Sequence, residues 1–346
     1  MLAYSDTKIQ DVVLHFVGNS FNEELLTLGN TKLAYSAEVE EHLLTYFLSS
    51  FKGNEFHRFH HESHLNLNEI YAYAQAIFED PENLVAHSKS IAKHLYEHSN
   101  HPKVKGGEFY VALIQNVLLE GEPVEAIGLF KSENKDTFLD VKNEEGNFAI
   151  DSKEGIHIKN LDKGAIIFNT DSEDGYVLSV IDNTNKGSDA KFWFDHFLHV
   201  KQREDAYYQT QSVMTIAKEF ITKELPKEFA ADKADQAEML NKSASYFKEQ
   251  EDFDLSEFAN VVLQQPDIVD SFQDFTTSYQ RERAVSIPEN FHLNESAVNK
   301  KKGVFKSVIK LDKNFSVYVH GDRNKIERGE DENGRKFYTL WYDEEK

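Results

Sequence analysis

The chain has 346 residues, with 60 Asp and Glu against 38 Lys and Arg, so its formal charge at pH 7 is −22. This charge excludes a uniformly basic nucleic-acid coat protein, and the lack of cysteine excludes disulfides, zinc fingers and thiol nucleophiles. Hydrophobic residues make up 40% of the chain, and Pro (6) and Gly (16) are few, which predicts a soluble globular protein of about two or three domains.

The first apolar stretch of the sequence is too short for a targeting segment. It follows Asp11 and is interrupted by His15, so we expect neither a signal peptide nor a targeting helix. No run approaches the roughly 18 apolar residues of a membrane span. We therefore expect a cytoplasmic protein.

Helical spacing dominates the first hundred residues. Apolar side chains three and four apart predict an amphipathic helix over residues 36–50, with Ser36 as its N-cap. Two further helices are expected over residues 68–79 and 83–98, separated by Asp80 and Pro81. These segments predict a helical layer.

The middle of the chain reads as β-structure. Two apolar strands flank a turn at residues 120–123, and further strands follow, so we expect a mostly antiparallel sheet. Residues 190–200 return to helical spacing. The predicted strands are residues 109–114, 117–119, 124–130, 138–141, 147–150, 165–168 and 176–181.

The last part of the chain combines acidic helices with a small β unit. Residues 211–295 hold 8 Lys and Arg against 17 Asp and Glu, a net charge of −9, which is typical of a solvated helical bundle. Beyond Pro288 the apolar period changes to two, and Glu332-Asn333-Gly334 is a hairpin signal. The sequence thus predicts an α+β protein whose domains are residues 1–200, 201–287 and 288–346.

One segment has the opposite charge to the whole chain. Residues 296–329 hold 9 Lys and Arg against 3 Asp and Glu, a net charge of +6. Such a segment can attract anions locally.

Phosphate-binding motifs of the common kinds are missing from the sequence. Residues 103–108, KVKGGE, are the nearest feature. They are typical of an ordinary turn with two solvated lysines, and alternatively of a loop that meets a phosphate through N–H groups and lysines.

Two weaker patterns resemble catalytic or metal-binding arrangements. His57, His60, His61 and His64 would share one face if this stretch were helical, but their spacing matches no defined zinc pattern. Glu133 and Lys135 form an E-x-K like that of metal-dependent nucleases, without an assignable companion carboxylate. We predict no catalytic residue, metal ligand or cofactor, and a Mg²⁺-dependent nuclease stays the least favoured alternative.

Several longer segments give a resemblance to a known family. They are residues 101–108 (HPKVKGGE), 126–136 (AIGLFKSENKD), 161–169 (LDKGAIIFN), 175–176 (GY) and 190–198 (AKFWFDHFL). In these segments, and in the order of its elements, the chain resembles the bacterial nucleoid-associated protein family of the NdpA type.

The resemblance implies a non-enzymatic protein of the cytoplasm and nucleoid that binds double-stranded DNA with little sequence preference, as a homodimer. It also implies type II topoisomerases as possible partners. The competing hypothesis is an acidic interaction protein that binds a topoisomerase or another basic partner through the segment with charge −9.

The predicted DNA-contacting residues form two groups of basic side chains. The first lies in the basic C-terminal segment: Lys300, Lys301, Lys302, Lys306, Lys310, Arg323, Lys325 and Arg328. The second lies in the segments that carry the resemblance: Lys103, Lys105, Lys131, Lys135 and Lys163.

Overall fold

The computed structural model describes residues 6–53, 55–184, 192–283, 285–320 and 323–345. Contacts within the chain divide it into two compact units, Met1–Arg203 and Glu204–Lys346. The division into three segments at residues 200 and 287 stays a prediction.

Within its described residues, the first unit combines ten strands with three α-helices. All the helices and strands expected before residue 184 form, and the α+β class is confirmed. Most ends lie within three residues of those expected, but the segments 109–114 and 117–119 form one strand and the strand expected over 147–150 extends to Gly155. In chain order, the elements are β1 (Lys8–Val17), β2 (Leu26–Thr27), α1 (Ala37–Leu48), β3 (His57–Phe59), α2 (Glu69–Glu79), α3 (Leu84–His98), β4 (Gly107–Leu119), β5 (Glu122–Ser132), β6 (Asp136–Glu144), β7 (Asn147–Gly155), β8 (Lys163–Phe168), β9 (Val177–Asp182) and β10 (Val200–Gln202).

Eight of these strands form one antiparallel sheet, in the order β10-β3-β9-β8-β5-β4-β1-β2. Strands β4 and β5 are joined by Glu120 and Gly121, whose φ angles of 53° and 95° are those of a tight hairpin turn. Strands β6 and β7 form a separate two-stranded hairpin, in which Glu145 and Gly146 make the same kind of turn.

The central sheet is covered on both faces, which explains why its middle strands read as continuous apolar runs. On one face, α2, α3 and the π-helical turn Phe192–Leu198 pack over residues such as Val111 and Ile127. On the other face α1 packs through Phe47, which stacks on Phe130 with ring centroids 4.2 Å apart.

Three features of this unit differ from the sequence-based expectations or are absent from them. The stretch with His57 is the short strand β3, so the four histidines do not share a helical face. The apolar stretch near the N-terminus is strand β1, whose register with β4 shifts between Ile9 and Asp11. The expected helix over residues 190–200 is the π-helical turn Phe192–Leu198 followed by β10, and residues 190–191 lie outside the described residues.

The second unit is the expected helical segment followed by short hairpins. Its elements are α4 (Ala206–Glu219), a π-helical turn (Phe220–Glu224), α5 (Leu225–Glu228), α6 (Lys233–Glu249), β11 (Asp252–Asp254), α7 (Leu255–Val262), α8 (Pro266–Arg283), β12 (Asn290–His292), α9 (Glu295–Lys301), β13 (Val308–Leu311), β14 (Phe315–Tyr318), β15 (Ile326–Glu330) and β16 (Lys336–Leu340).

The second unit has its own core, rich in phenylalanine. Phe220, Phe247, Phe253, Phe258 and Phe272 are all buried there. Strand pairs β13–β14 and β15–β16 pack against α6 through a small cluster of Ala234, Ile309 and Ile326. Within the described residues, no helix has the length and apolarity to cross a bilayer.

Strand β1 contains a buried histidine that titrates abnormally. The Nδ1 atom of His15 accepts a hydrogen bond from the backbone N–H of Gly29 at 3.0 Å, and its ring is 2% exposed. Burial, with a smaller contribution from the charge of Lys89, lowers the pKa of His15 from 6.5 to about 4. The imidazole is therefore neutral in the folded protein at pH 7.

This pKa predicts a loss of stability in mild acid. Because the folded pKa of His15 is depressed, its contribution to stability is complete above pH 6.5 and is lost as the pH falls toward 4. The shift from 6.5 to about 4 corresponds to a loss of roughly 3 kcal/mol. Urea unfolding between pH 7 and pH 4 should therefore show a shallower pH dependence for His15→Phe than for the wild type. The exposed His42→Phe serves as control, and equal slopes for H15F and the wild type would contradict the assignment.

Candidate functional site

Three strands of the central sheet bring charged residues together at one end of the sheet. Strand β5 ends just after Lys131, β8 begins at Lys163 and β9 ends at Asp182, and Glu133 follows β5 directly. The side chains of these four residues are between 0% and 3% exposed. The result is a buried ion network, which we define as Lys131, Glu133, Lys163 and Asp182.

Glu133 is the centre of the buried ion network because it binds both lysines. Its Oε1 lies 3.2 Å from the Nζ of Lys131 and its Oε2 lies 2.9 Å from the Nζ of Lys163. Lys163 also contacts Asp182 Oδ1 at 3.2 Å and donates to the hydroxyl of Thr184. Lys131 donates in addition to the backbone carbonyl of Lys105 at 2.6 Å. Both ammonium groups are thus satisfied by several acceptors.

Asp162 holds the backbone that follows β5. Its Oδ2 accepts hydrogen bonds from the backbone N–H of Glu133 at 2.6 Å and of Asn134 at 2.9 Å, and its Oδ1 accepts from the Asn134 amide at 2.6 Å. These bonds fix the segment that carries the Glu133 carboxylate.

Burial makes the charges of the ion network energetically costly. Desolvation lowers the pKa of Lys131, and the neighbouring charge of Glu133 acts in the opposite direction. A buried charge is tolerated only when partners replace the lost water. The network therefore constrains the ends of the three strands to one geometry.

A cavity of about 550 Å³ lies beside the buried ion network. It is lined by three lysines, two carboxylates and several neutral polar side chains: Ser50, Lys103, Lys105, Glu133, Asn134, Lys159, Asn160, Leu161, Asp162, Asn183 and Thr184. The structure thus brings Lys103 and Lys105, predicted from the KVKGGE segment, to the same place as Lys131 and Lys163.

The two glycines of this segment serve packing. A Cβ on Gly107 would lie 1.6 Å from the carbonyl oxygen of Ser132, and one on Gly106 would lie 2.2 Å from the Oε2 of Glu24. The backbone contact at Gly107 requires glycine, whereas the Glu24 carboxylate near Gly106 is the end of a flexible side chain. The chemistry of the segment is therefore carried by Lys103 and Lys105.

Three of the predicted DNA-contacting lysines in this unit have other partners. Lys131 and Lys163 are 0% exposed, so their ammonium groups cannot reach a phosphate at the surface, and we remove them from the candidate set. Lys135 is exposed but pairs with Glu108 at 2.6 Å. Glu133 and Lys135 of the E-x-K pattern have different partners, because Glu133 binds Lys131 and Lys163, whereas Lys135 binds Glu108.

Histidines line a second, smaller cavity. His61, His94, His98 and His199 surround a space of about 150 Å³ together with Glu69. Burial lowers the pKa of His94 and of His199, which favours neutral rings at pH 7. Among the residues that the structure describes, no group of three His, Asp or Glu side chains is placed to hold a metal ion.

Several members of the first predicted group are engaged within the second unit. The Nζ of Lys301 donates to the carbonyl of Gln211 at 2.7 Å, and the Nε of Arg323 contacts Asp235 at 2.8 Å. Although burial acts in the opposite direction, the hydrogen bond and charge of Arg323 hold the pKa of Asp235 below its ordinary value. Lys325 pairs with Asp343. Lys301 and Arg323 therefore stabilise the fold.

The remaining members of this group face the solvent. Lys300 lies over the ring of Tyr207, with its Nζ 5.6 Å from the ring centroid. Four other side chains form what we call the C-terminal basic surface: Lys302, Lys306, Lys310 and Arg328, all exposed. No carboxylate of the described residues lies within ion-pairing distance of these four.

An aromatic ring accompanies this surface. Lys310 pairs with Ser316 and Val308 pairs with Tyr318, so Lys310 and Tyr318 share one face of the β13–β14 hairpin. Ile309 occupies the other face and is buried against α6, whereas Tyr318 is 64% exposed. The strand pairing therefore directs a lysine and a tyrosine outward together.

Sequence reasoning missed Asp162, Asp182 and Lys159 at this site. A signal for the buried charges was present: Lys131 and Lys163 sit at the ends of continuous apolar strands, where a charge needs a buried counterion. Which carboxylates supply it depends on the pairing of strands that are distant in sequence.

These features define the class of protein. It is an α+β protein with a covered antiparallel sheet, an acidic helical unit and basic C-terminal hairpins. The chain matches the family described as nucleoid-associated protein YejK over residues 13–336. It therefore belongs to this family, which confirms the resemblance read from the sequence. A comparison with curated proteins finds no match.

The buried ion network predicts an unusually large cost for removing one lysine. Lys163→Met should destabilise the protein by roughly 3–5 kcal/mol, because Glu133 and Asp182 lose a partner they share while remaining buried. Urea unfolding at pH 7 measures the change. The exposed Lys159→Met is the matched control and should change stability by less than about 0.5 kcal/mol. Equal effects of the two substitutions would contradict a structural role for the network.

Proposed function

We propose that this nucleoid-associated protein binds double-stranded DNA with little sequence preference through the C-terminal basic surface. The observation that carries the proposal is that Lys302, Lys306, Lys310 and Arg328 are exposed without a described counterion. Lysines act on phosphates as point charges, and phosphate contacts carry no direct sequence information. Membership of a family described as nucleoid-associated supports the same function.

The overall charge of −22 limits the extent of such a surface. Acidic side chains on the rest of the protein repel the duplex, so contact is confined to the basic surface. Each neutralised phosphate releases counterions. Binding should therefore weaken strongly with salt.

A charge-removal experiment tests the C-terminal basic surface. The variant with Lys302, Lys306 and Lys310 replaced by Gln should lose duplex affinity, and its slope of log affinity against log salt should fall by about 2 to 3, since each phosphate contact contributes roughly 0.9. Mobility-shift titrations at several salt concentrations measure both quantities.

The matched control replaces Lys223, Lys227 and Lys248, which are also exposed and lie on the acidic helices, by Gln. It changes the net charge equally. A comparable loss of affinity in the control would therefore contradict a DNA-binding site at the C-terminal basic surface. Unchanged affinity of the first variant would have the same meaning.

A second candidate function is the binding of a basic protein partner, such as a type II topoisomerase. It is favoured by helix α8, where Asp267, Asp270 and Asp274 are exposed at spacings of three and four and so share one face. The same titration separates the two candidates: if the wild type does not shift duplex DNA even at low salt, the acidic partner-binding function is favoured.

We also propose that the protein forms a homodimer through the β6–β7 hairpin. On one face of this hairpin, Val141 pairs with Ile150 and Leu139 and Phe148 lie beside them. These four side chains are 58–72% exposed. On the opposite face, Lys142 forms an ion pair with Asp151, and Lys153 forms one with Asp140. The hairpin is thus amphipathic, with its apolar face open.

A second copy of the same hairpin is the occupant we favour. The part of this face formed by Leu139, Val141, Phe148 and Ile150 carries no charge, and Glu154 lies at the far end of the face. An uncharged apolar patch can pack against a second copy of itself, as a two-fold contact requires. Two such faces together present roughly 1,000 Å² of apolar side chain, on the order of the lower limit for a specific interface. An isolated two-stranded hairpin is only marginally stable in water, and such packing would stabilise it.

Sedimentation velocity tests the dimer. The wild type should sediment as a dimer at micromolar concentration, and the variant Leu139→Thr with Ile150→Thr should shift to monomer while keeping a strand-forming sequence. The control, Asp140→Thr with Lys153→Thr on the opposite face, should stay dimeric. A monomeric wild type, or a doubly substituted variant that stays dimeric, would contradict this interface.

A further inference from the structure

The two faces of the β15–β16 hairpin have different surroundings. Ile326 is buried against α6, and Tyr338 packs against the same cluster. Side chains alternate along a strand, so the residues between these lie on the opposite face. Trp341 continues this alternation, because its backbone N–H donates to the carbonyl of Lys325 at 2.8 Å. We call this second face the outer face of the hairpin, formed by Glu327, Gly329, Phe337, Thr339 and Trp341.

Two aromatic rings stand open on the outer face. Phe337 is 49% exposed and Trp341 is 58% exposed. Phe337 is paired with Gly329, and a Cβ on this glycine would lie 2.3 Å from the ring. One side of the Phe337 ring therefore rests on the hairpin backbone, and the other side is available to a ligand. The two rings are four residues apart on one strand, which corresponds to about 13 Å.

A free carboxylate lies between the two rings. Glu327 is paired with Thr339, midway between Phe337 and Trp341. It is exposed, and no cationic side chain of the described residues is within ion-pairing distance of it. The lysine on the same side of the hairpin, Lys325, is paired with Asp343. The uncompensated charge of the outer face is therefore negative.

The charge of the surrounding segment has the same sign. Residues 325–345 hold 7 Asp and Glu against 4 Lys and Arg, a net charge of −3. Arg328 lies on the opposite face of the hairpin, because it is paired with Tyr338. Exposed rings can stack nucleic-acid bases, but such platforms occur in positively charged grooves. A cation suits this face better, since aromatic rings attract ammonium and guanidinium groups and a carboxylate pairs with them.

We propose that the outer face of the β15–β16 hairpin binds an extended basic segment of a partner protein. Every second side chain of an extended segment points to the same side, roughly 7 Å from the previous one. This spacing matches the succession of Phe337, Glu327 and Trp341 along the hairpin. Arginine suits all three positions, because its guanidinium stacks on aromatic rings and forms two parallel hydrogen bonds with a carboxylate.

This surface is separate from the surfaces considered above. It includes no residue of the C-terminal basic surface or of helix α8. The inference therefore stands or falls independently of duplex binding and of the acidic face of α8.

Fluorescence anisotropy of a labelled peptide of alternating arginine and threonine, titrated with the full-length protein, tests the proposal. The variants Phe337→Thr, Trp341→Thr and Glu327→Gln should each bind the peptide roughly two- to fivefold more weakly than the wild type. A peptide in which lysine replaces arginine should also bind more weakly, because an ammonium group does not stack on a ring as a guanidinium does.

Matched controls separate this site from general attraction to an acidic protein. Phe315→Thr removes an exposed phenylalanine of the neighbouring β13–β14 hairpin, and Glu332→Gln removes an exposed carboxylate of the β15–β16 turn. Both variants should bind the peptide like the wild type. Equal weakening by F337T and F315T, or by E327Q and E332Q, would overturn the proposal.

The emission of Trp341 gives a direct readout of the outer face. The chain has two tryptophans, and Trp193 is 0% exposed, so a change in emission on adding the arginine peptide is expected from Trp341. Two other results would identify a different occupant and contradict the proposal. A change with a single-stranded oligonucleotide but not with the peptide would indicate nucleic acid. A change with protein concentration alone would indicate a second copy of the chain.

Discussion

The carboxylate of Glu133, shared by the buried ammonium groups of Lys131 and Lys163, determines how one end of the central sheet is built. Two buried lysines would be costly without a common acceptor. Because Lys131 ends β5 and Lys163 begins β8, satisfying both requires these strands to lie side by side in the observed register. Asp182 at the end of β9 completes the set. The cavity with its exposed lysines exists because this network fixes the surrounding strand ends.

Charge is used in two different ways in this protein. In the first unit, the buried lysines are neutralised by carboxylates, whereas the lysines at the rim of the cavity face solvent. In the second unit, Arg323 is bound by Asp232 and Asp235 of the acidic segment, whereas Lys302, Lys306 and Lys310 remain exposed. A net charge of −22 is therefore compatible with local anion binding, because potentials at a surface depend on the arrangement of charges as well as on their sum.

Much of the fold could be predicted from periodicity alone. The spacing of Leu43, Phe47 and their neighbours specified α1, and the continuous apolar run of β4 and β5 specified buried strands. The sequence left the conformation near His57 open, because three residues of strand are too few to show a period of two. Strand β1 was missed, since its apolar residues lack regular alternation where the register shifts near Asp11.

The sequence by itself determined the α+β class, the succession of helices and strands, the family and the segregation of charge, because these depend on local spacing and composition. Only the tertiary structure decided which lysines are buried and which face solvent. Lys103 and Lys163 are equally charged in the sequence, yet one lines a cavity and the other is enclosed by Glu133 and Asp182. That difference arises from the pairing of β5, β8 and β9, which brings together residues up to about 50 positions apart, and no local pattern encodes contacts over such distances.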